Sequence, residues 1–191
     1  MRQRWGGHWN YSVLADAIRA CRQCPLADTR TQAVPAWVGP DYRLGGLAFM
    51  AEAPGRQEDE TGIPLVGSAG RIFDRVLAEA GISRSSLLLM NTVRCRPPSN
   101  NLASVPIAKE KCAAWTAAEM AEYRPAKVVL LGGTAAATIF GKAKRIGEVR
   151  GTLRAVDGVV YTATYHPASA LPNRSPENAA VMVEDVRSFL L

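Results

Sequence analysis

The chain has 191 residues, enough for one domain with a real core and short for two, and its 48% hydrophobic and 21% charged residues are those of an ordinary globular protein rather than a disordered chain. No window reaches the roughly 18 consecutive apolar residues of a membrane span, and Met1-Arg2-Gln3-Arg4-Trp5-Gly6-Gly7-His8 lacks the apolar core of a secretion signal, so a cytoplasmic monomer without a membrane partner is expected. Twenty-three basic residues against 17 acidic ones give +6, which favours a polyanionic partner without identifying it.

Residues 12–20 read as a first helix, with Val13, Leu14, Ala17 and Ile18 on one face, and it ends at Cys21 and Cys24. Cys24-Pro25-Leu26 breaks it. Residues 25–46 are rich in Pro, Gly and Thr and are expected to be irregular, with Trp37 and Val38 packing on the core. Four short apolar runs follow, at 47–50, 87–90, 127–131 and 159–163, each bounded by turn residues and each short enough to be a strand. Helix patterns lie between them at 69–80, 108–123 and 134–140. Ser68 is the expected N-cap of the first of these, whose apolar stripe is Ile72, Phe73, Val76, Leu77 and Ala80. Asp157-Gly158 is a hairpin turn signal. A last helix over 176–191, with Ser175 as cap and Pro176 at its first position, is expected to bury Val183, Val186, Phe189 and Leu190. Alternating strands and helices predict an α/β fold: a single domain over 1–191 with a central four-stranded, mainly parallel sheet flanked by helices.

In such a fold ligands bind along the carboxyl edge of the strands, and Glu52, Asn91, Gly132-Gly133 and His166 each fall just after a strand, so one cleft can gather them. The stretch 51–70 is the richest in this respect. A strand there feeds a loop punctuated by Pro54, Gly55, Gly62, Pro64 and Gly67, which feeds a helix, and backbone N–H groups converge at such a junction. The asparagine offers an acceptor and a donor side by side, the complement of a base edge, although an Asx turn closing the strand is the common alternative. Basic residues crowd into 142–154 as Lys142, Lys144, Arg145, Arg150 and Arg154, with Glu148 alone opposing them, a pattern open to a solvated basic face or to a phosphate-contacting surface. The four cysteines, Cys21, Cys24, Cys95 and Cys112, are poor candidates for disulfides in a protein with no sign of secretion. Four thiolates can hold zinc or an iron–sulfur cluster, and spacing does not choose between them.

The wording of the site segments adds a family. Ala51-Glu52-Ala53-Pro54-Gly55, Glu58-Asp59 and Pro64-Leu65-Val66-Gly67-Ser68-Ala69-Gly70 resemble motif 1 of the family 4 uracil-DNA glycosylases, in which Gly-Glu-Ala/Gly-Pro-Gly is followed by Pro-Phe-Val-Gly-x-Ala-Gly. The match continues through Asn91-Thr92-Val93-Arg94-Cys95-Arg96-Pro97-Pro98 and Tyr165-His166-Pro167-Ala168, so in order it spans residues 21–171. Ala51 departs from the usual glycine, and Leu65 from the phenylalanine on which the extruded uracil stacks.

The resemblance implies a [4Fe–4S] cluster on Cys21, Cys24, Cys95 and Cys112, with about residues 12–46 as the cluster-binding segment, and DNA, single- or double-stranded, as the partner. It implies that His166 hydrogen-bonds uracil O2, that Asn91 reads N3–H and O4, and that Ala53, Pro54, Gly55 and Leu65 surround the base. Glu52 either positions the attacking water or only holds its loop, since Ala53 has no polar group for that task. Ser68 joins the DNA-binding set, and Leu171 with Arg174 is the expected wedge that unstacks a base step. Three functions follow: a monofunctional glycosylase that hydrolyses uracil, or a related deaminated base, from DNA; an iron–sulfur DNA-binding protein that has lost catalysis; or a relative with another lesion preference. The absence of histidine between 91 and 112 counts against the related glycosylases that trap themselves on the abasic sugar.

Overall fold

The four apolar runs become the middle of the sheet because each is covered on both faces, which is why they read as unbroken hydrophobic stretches rather than alternating ones. The computed structural model describes residues 12–141 and 145–191; Lys142 and Lys144, two of the expected phosphate contacts, lie outside the described residues. In chain order the elements are α1 (Val13–Ala20), α2 (Leu26–Thr29), β1 (Trp37–Val38), β2 (Leu47–Ala51), α3 (Arg56–Thr61), α4 (Ser68–Ala80), β3 (Leu88–Asn91), α5 (Ile107–Tyr123), β4 (Lys127–Leu131), α6 (Gly133–Phe140), α7 (Ile146–Val149), β5 (Arg154–Val156), β6 (Val159–Thr164) and α8 (Asn178–Leu190).

The sheet has six strands in the order β1-β3-β2-β4-β6-β5. Its four inner strands are mutually parallel, as expected, and two antiparallel edge strands extend it. The edges carry no apolar run to betray them. β1 is two residues long in a segment expected to be irregular, and β5 is mostly exposed. The hairpin from β5 to β6 turns at Asp157 (φ 49°) and Gly158 (φ 79°), two successive left-handed residues that match the right-handed twist of the strands.

Successive residues of each inner strand face opposite layers. Phe49, Leu89, Val129 and Leu131 pack against Phe73, Val76 and Leu77 of α4 and Met182, Val183, Val186 and Phe189 of α8. The rings of Phe49 and Phe73 meet edge to face, 4.9 Å apart at 76°. On the other face Met50, Leu88, Met90, Val128 and Leu130 pack against Tyr123, Ala135, Ala136 and Val149. A third, smaller cluster gathers Ile18, Leu26, Val93, Cys95, Leu102, Ala108 and Cys112 beside the sheet.

Three local expectations are corrected. Gly67, not Ser68, occupies the cap position of α4, and no side chain caps that helix. α8 starts at Asn178, after a turn at Pro176 and Glu177 rather than at Pro176 itself, and it buries Met182 and Asp185 while Leu190 stays 39% exposed. The loop after β2 is not irregular throughout: α3 forms within it, closed by Gly62 in the left-handed region. No helix among the described residues is long and apolar enough to cross a membrane.

Candidate active site

The carboxyl ends of β2, β3, β4 and β6 open onto a cleft of about 610 Å³. Glu52, Ala53, Pro54, Gly55, Leu65, Ser68, Asn91, His166, Leu171 and Arg174 all line it, so ten residues scattered over 123 positions converge as the strand order demands. Gly132 and Gly133 line it as expected, and so do Arg56, Glu58, Asn100 and Ser169, which sequence reasoning did not assign to the site.

Asn91 is the last residue of β3 and only 3% exposed. Its Nδ2 has no hydrogen-bond partner among the described residues. The Asx-turn alternative requires its side chain to accept from the backbone N–H two residues on, but Val93 N donates to Glu52 O at 2.9 Å, and Thr92 N to Ala51 O at 2.8 Å. The carboxamide is therefore held at the wall of the cleft with its donor unused, an arrangement that costs free energy unless a ligand answers it.

His166 follows β6, and Pro167 begins the short turn Pro167–Ala170 behind it. Its Nδ1 accepts from Ala168 N at 3.1 Å, which places the ring proton on Nε2. Burial lowers its pKa from the usual histidine value, an effect that the nearby Glu52 and Glu58 charges oppose and Arg174 reinforces. The ring is thus a neutral donor at the base of the cleft.

Glu52 is held by Thr134, whose hydroxyl donates to Oε2. Glu58 and Asp59 of the motif are buried rather than solvated. Glu58 is 7% exposed and its Oε1 accepts from Val66 N at 3.0 Å and Gly67 N at 2.8 Å, while Asp59, 4% exposed, accepts from Thr31 N at 3.0 Å. One carboxylate shapes the loop bearing Leu65, and its neighbour ties that loop to the segment after Cys24. Leu65 itself is buried against the cleft at φ 55°. Gly70 makes room for it, because a Cβ there would meet Leu65 O at 2.1 Å.

The four cysteines line a separate pocket of about 10 Å³ together with Arg30, Arg94 and Trp115. None is in a disulfide. Among the described residues no three Cys, His, Asp or Glu side chains converge on one point as metal ligands; the thiols share a pocket instead. Two of the sulfurs already receive donors: Arg30 Nη1 reaches Cys95 Sγ at 2.8 Å and Trp115 Nε1 reaches Cys21 Sγ at 3.2 Å. Burial pushes the Cys95 thiol up to about 11 and raises Cys112 as well. Buried soft sulfurs with N–H donors trained on them fit a group that binds as thiolates. Arg94 joins this pocket to the sheet: it is 1% exposed, ion-paired with Glu119, and bonded to Thr116 Oγ1 at 2.7 Å and Thr92 O at 3.0 Å. The loop from Asn91 to Cys95 is thereby anchored at both ends.

The basic stretch is where expectation and structure part. Arg150 does not line the cleft; its guanidinium grips Asp185 at 2.9 and 3.2 Å and lies over the Tyr165 ring. Its charge is spent within the fold, so it is withdrawn from the phosphate-contacting set. Arg145 is exposed and also lies away from the cleft. Among the described residues, the cations lining the cleft are Arg56 and Arg174.

A family model described as "Uracil DNA glycosylase superfamily" matches residues 44–189. The chain is 35% identical over 183 residues to a Type-4 uracil-DNA glycosylase of Thermotoga maritima, covering 93% of each protein. It is 36% identical over 162 residues to one from Archaeoglobus fulgidus, covering 81% of this chain and 79% of the relative, and 34% identical over 189 residues to one from Saccharolobus solfataricus, covering 93% and 84%.

Proposed function

The chain belongs to the uracil DNA glycosylase superfamily, and on that premise we propose that it is a DNA repair enzyme that hydrolyses the N-glycosidic bond of uracil flipped out of DNA, leaving an abasic site. The observation that carries this reading is the unpartnered Asn91 Nδ2, buried in one cleft with the neutral imidazole of His166. Breaking the bond between sugar C1′ and uracil N1 sends its electron pair onto the base, where the charge spreads to O2 and O4. His166 Nε2–H donates to O2 as that charge develops, and Asn91 accepts from N3–H while donating to O4. A neutral donor suits this task because it stabilises the anion without first having to be charged in a desolvated site. Glu52, with Oε2 engaged by Thr134, has Oε1 left to orient the attacking water and face the positive charge on the sugar. The water adds to C1′, its proton leaves to solvent, and base and sugar separate. Leu171 and Arg174 at the rim take the space of the extruded base, and Ser68, Arg56 and Arg145 are the remaining candidates for the DNA backbone. The enzyme acts as a monomer in the cytoplasm.

Cys21, Cys24, Cys95 and Cys112 would hold a [4Fe–4S] cluster, with Arg30 and Trp115 donating to its sulfur ligands. Hydrolysis moves no electrons, and a cluster held by these residues would supply a cross-link between the segment after α1, the loop after Asn91 and α5. Protein purified without air is expected to be yellow-brown with broad charge-transfer absorption; a colourless protein with stoichiometric zinc would replace iron with zinc in this reading.

Incubating the protein with a uracil-containing oligonucleotide, followed by alkali and a denaturing gel, tests the activity. Strand breaks at uracil are expected, and an intact strand overturns the proposal. Leu65 makes lesion preference part of the same test, since it covers the base without an aromatic face. Base–aromatic stacking is worth about 1–3 kcal/mol in single-strand binders. Leu65→Phe is therefore expected to raise kcat/KM for uracil about fivefold or more. An unchanged or lower value in a folded variant would mean that the pocket is shaped for another deaminated base.

A further inference from the structure

Thr134 lies 82 residues from Glu52 in sequence, and its hydroxyl nonetheless donates to the Glu52 carboxylate. The turn that delivers it is fitted to the other catalytic side chain. Gly132 has φ +86°, and a Cβ there would stand 2.9 Å from His166 Cβ. Its N–H donates to Thr164 O at 2.9 Å, two residues before His166. A residue with a side chain at 132 would be strained in that conformation and would press on His166 as well.

We propose that the Gly132-Gly133-Thr134 turn is the positioning element that sets Glu52 and His166 relative to each other, with Thr134 fixing the rotamer of the Glu52 carboxylate and Gly132 admitting the imidazole beside it. The proposal rests on the glycosylase reading of the cleft. A glutamate side chain has three rotatable bonds, and ordering it costs their conformational entropy. The Thr134 hydroxyl meets that cost before substrate arrives, so Oε1 is presented in one direction. Thr134 itself does not line the cleft, which makes it a positioning residue and not a catalytic one.

Thr134→Val keeps the side-chain shape and removes the donor. On a uracil-containing oligonucleotide, kcat is expected to fall about 10-fold to 100-fold, the range for losing one hydrogen bond to a charged group, with KM within twofold. Thr134→Ser restores kcat to within a few-fold of the parent. In a Glu52→Ala background, which has no acceptor for the hydroxyl, the same Thr134→Val change brings no further loss. Gly132→Ala slows the reaction in both backgrounds, because it acts on His166. A Thr134→Val variant as fast as the parent, or one whose loss persists undiminished without Glu52, overturns the Thr134 arm, and a fully active Gly132→Ala overturns the other. Should the parent release no uracil, the glycosylase reading falls on its own. Positioning is then decided by the NMR titration of His166, which is faced by Glu52, Glu58 and Arg174. A shift on Thr134→Val upholds the link, and an unmoved midpoint removes it.

Discussion

His166→Ala is expected to slow uracil release by about 10²–10³ while leaving DNA binding within a few-fold, because a hydrogen bond to charge that develops in the transition state is worth a few kcal/mol and contributes little to the ground state. Binding is expected to persist because the rim cations Arg56 and Arg174, proposed to meet the DNA, are side chains separate from the imidazole. Single-turnover rates and a gel-shift titration on the same oligonucleotide separate the two effects. A variant that cuts as fast as the parent removes His166 from the leaving-group role. The lowered pKa adds a pH signature whose sign can be worked out. The unfolded chain takes up a proton near the ordinary histidine value of about 6.5, whereas folded His166 does so only at lower pH. Below about 6.5 the unfolded state therefore binds more protons, and stability falls as pH falls through the window between the two values; above 6.5 the term is constant. Catalysis by the neutral donor is expected to continue flat below pH 6.5, and His166→Ala should flatten the stability profile across that window.

Asn91→Asp is the second large effect. Uracil presents a donor at N3 and an acceptor at O4, and cytosine presents the reverse. A carboxamide held in one orientation accepts the first and opposes the second. A good bidentate pairing is worth about 1–3 kcal/mol of discrimination, and in a dry pocket the groups left unpaired by the wrong base add to it. The carboxylate removes the donor to O4, so uracil excision is expected to fall at least tenfold to a hundredfold. It can also accept from cytosine N4, so a trace of cytosine release is expected where a proton is available at N3. Both activities are to be measured on matched oligonucleotides, with Asn91→Ala beside Asn91→Asp. If uracil excision survives either change within a few-fold, the base is read instead by backbone groups between Glu52 and Gly55.

Much of this could be read along the chain, because its signals are local. The inner strands are buried on both faces, so their apolar runs are continuous; Asp157-Gly158 has the residue types of its turn; and Glu52 and His166 stand after strands and Asn91 at the end of one, where a parallel sheet gathers ligands. The motif wording then named the family that residues 44–189 match. What the tertiary structure alone decided depends on groups far apart in sequence. Arg150 looked like one more cation of a basic stretch until Asp185, 35 residues on, engaged it. The sequence gives no partner for the Glu58 and Asp59 carboxylates, and the fold supplies backbone N–H groups of Val66, Gly67 and Thr31. Thr134 carried no signal at all, since its importance is a bond to Glu52. The edge strands likewise form by pairing to a neighbour rather than by any apolar pattern of their own. Periodicity records which face of an element is buried, but the partner of a charge or a hydroxyl is fixed only when the chain closes on itself.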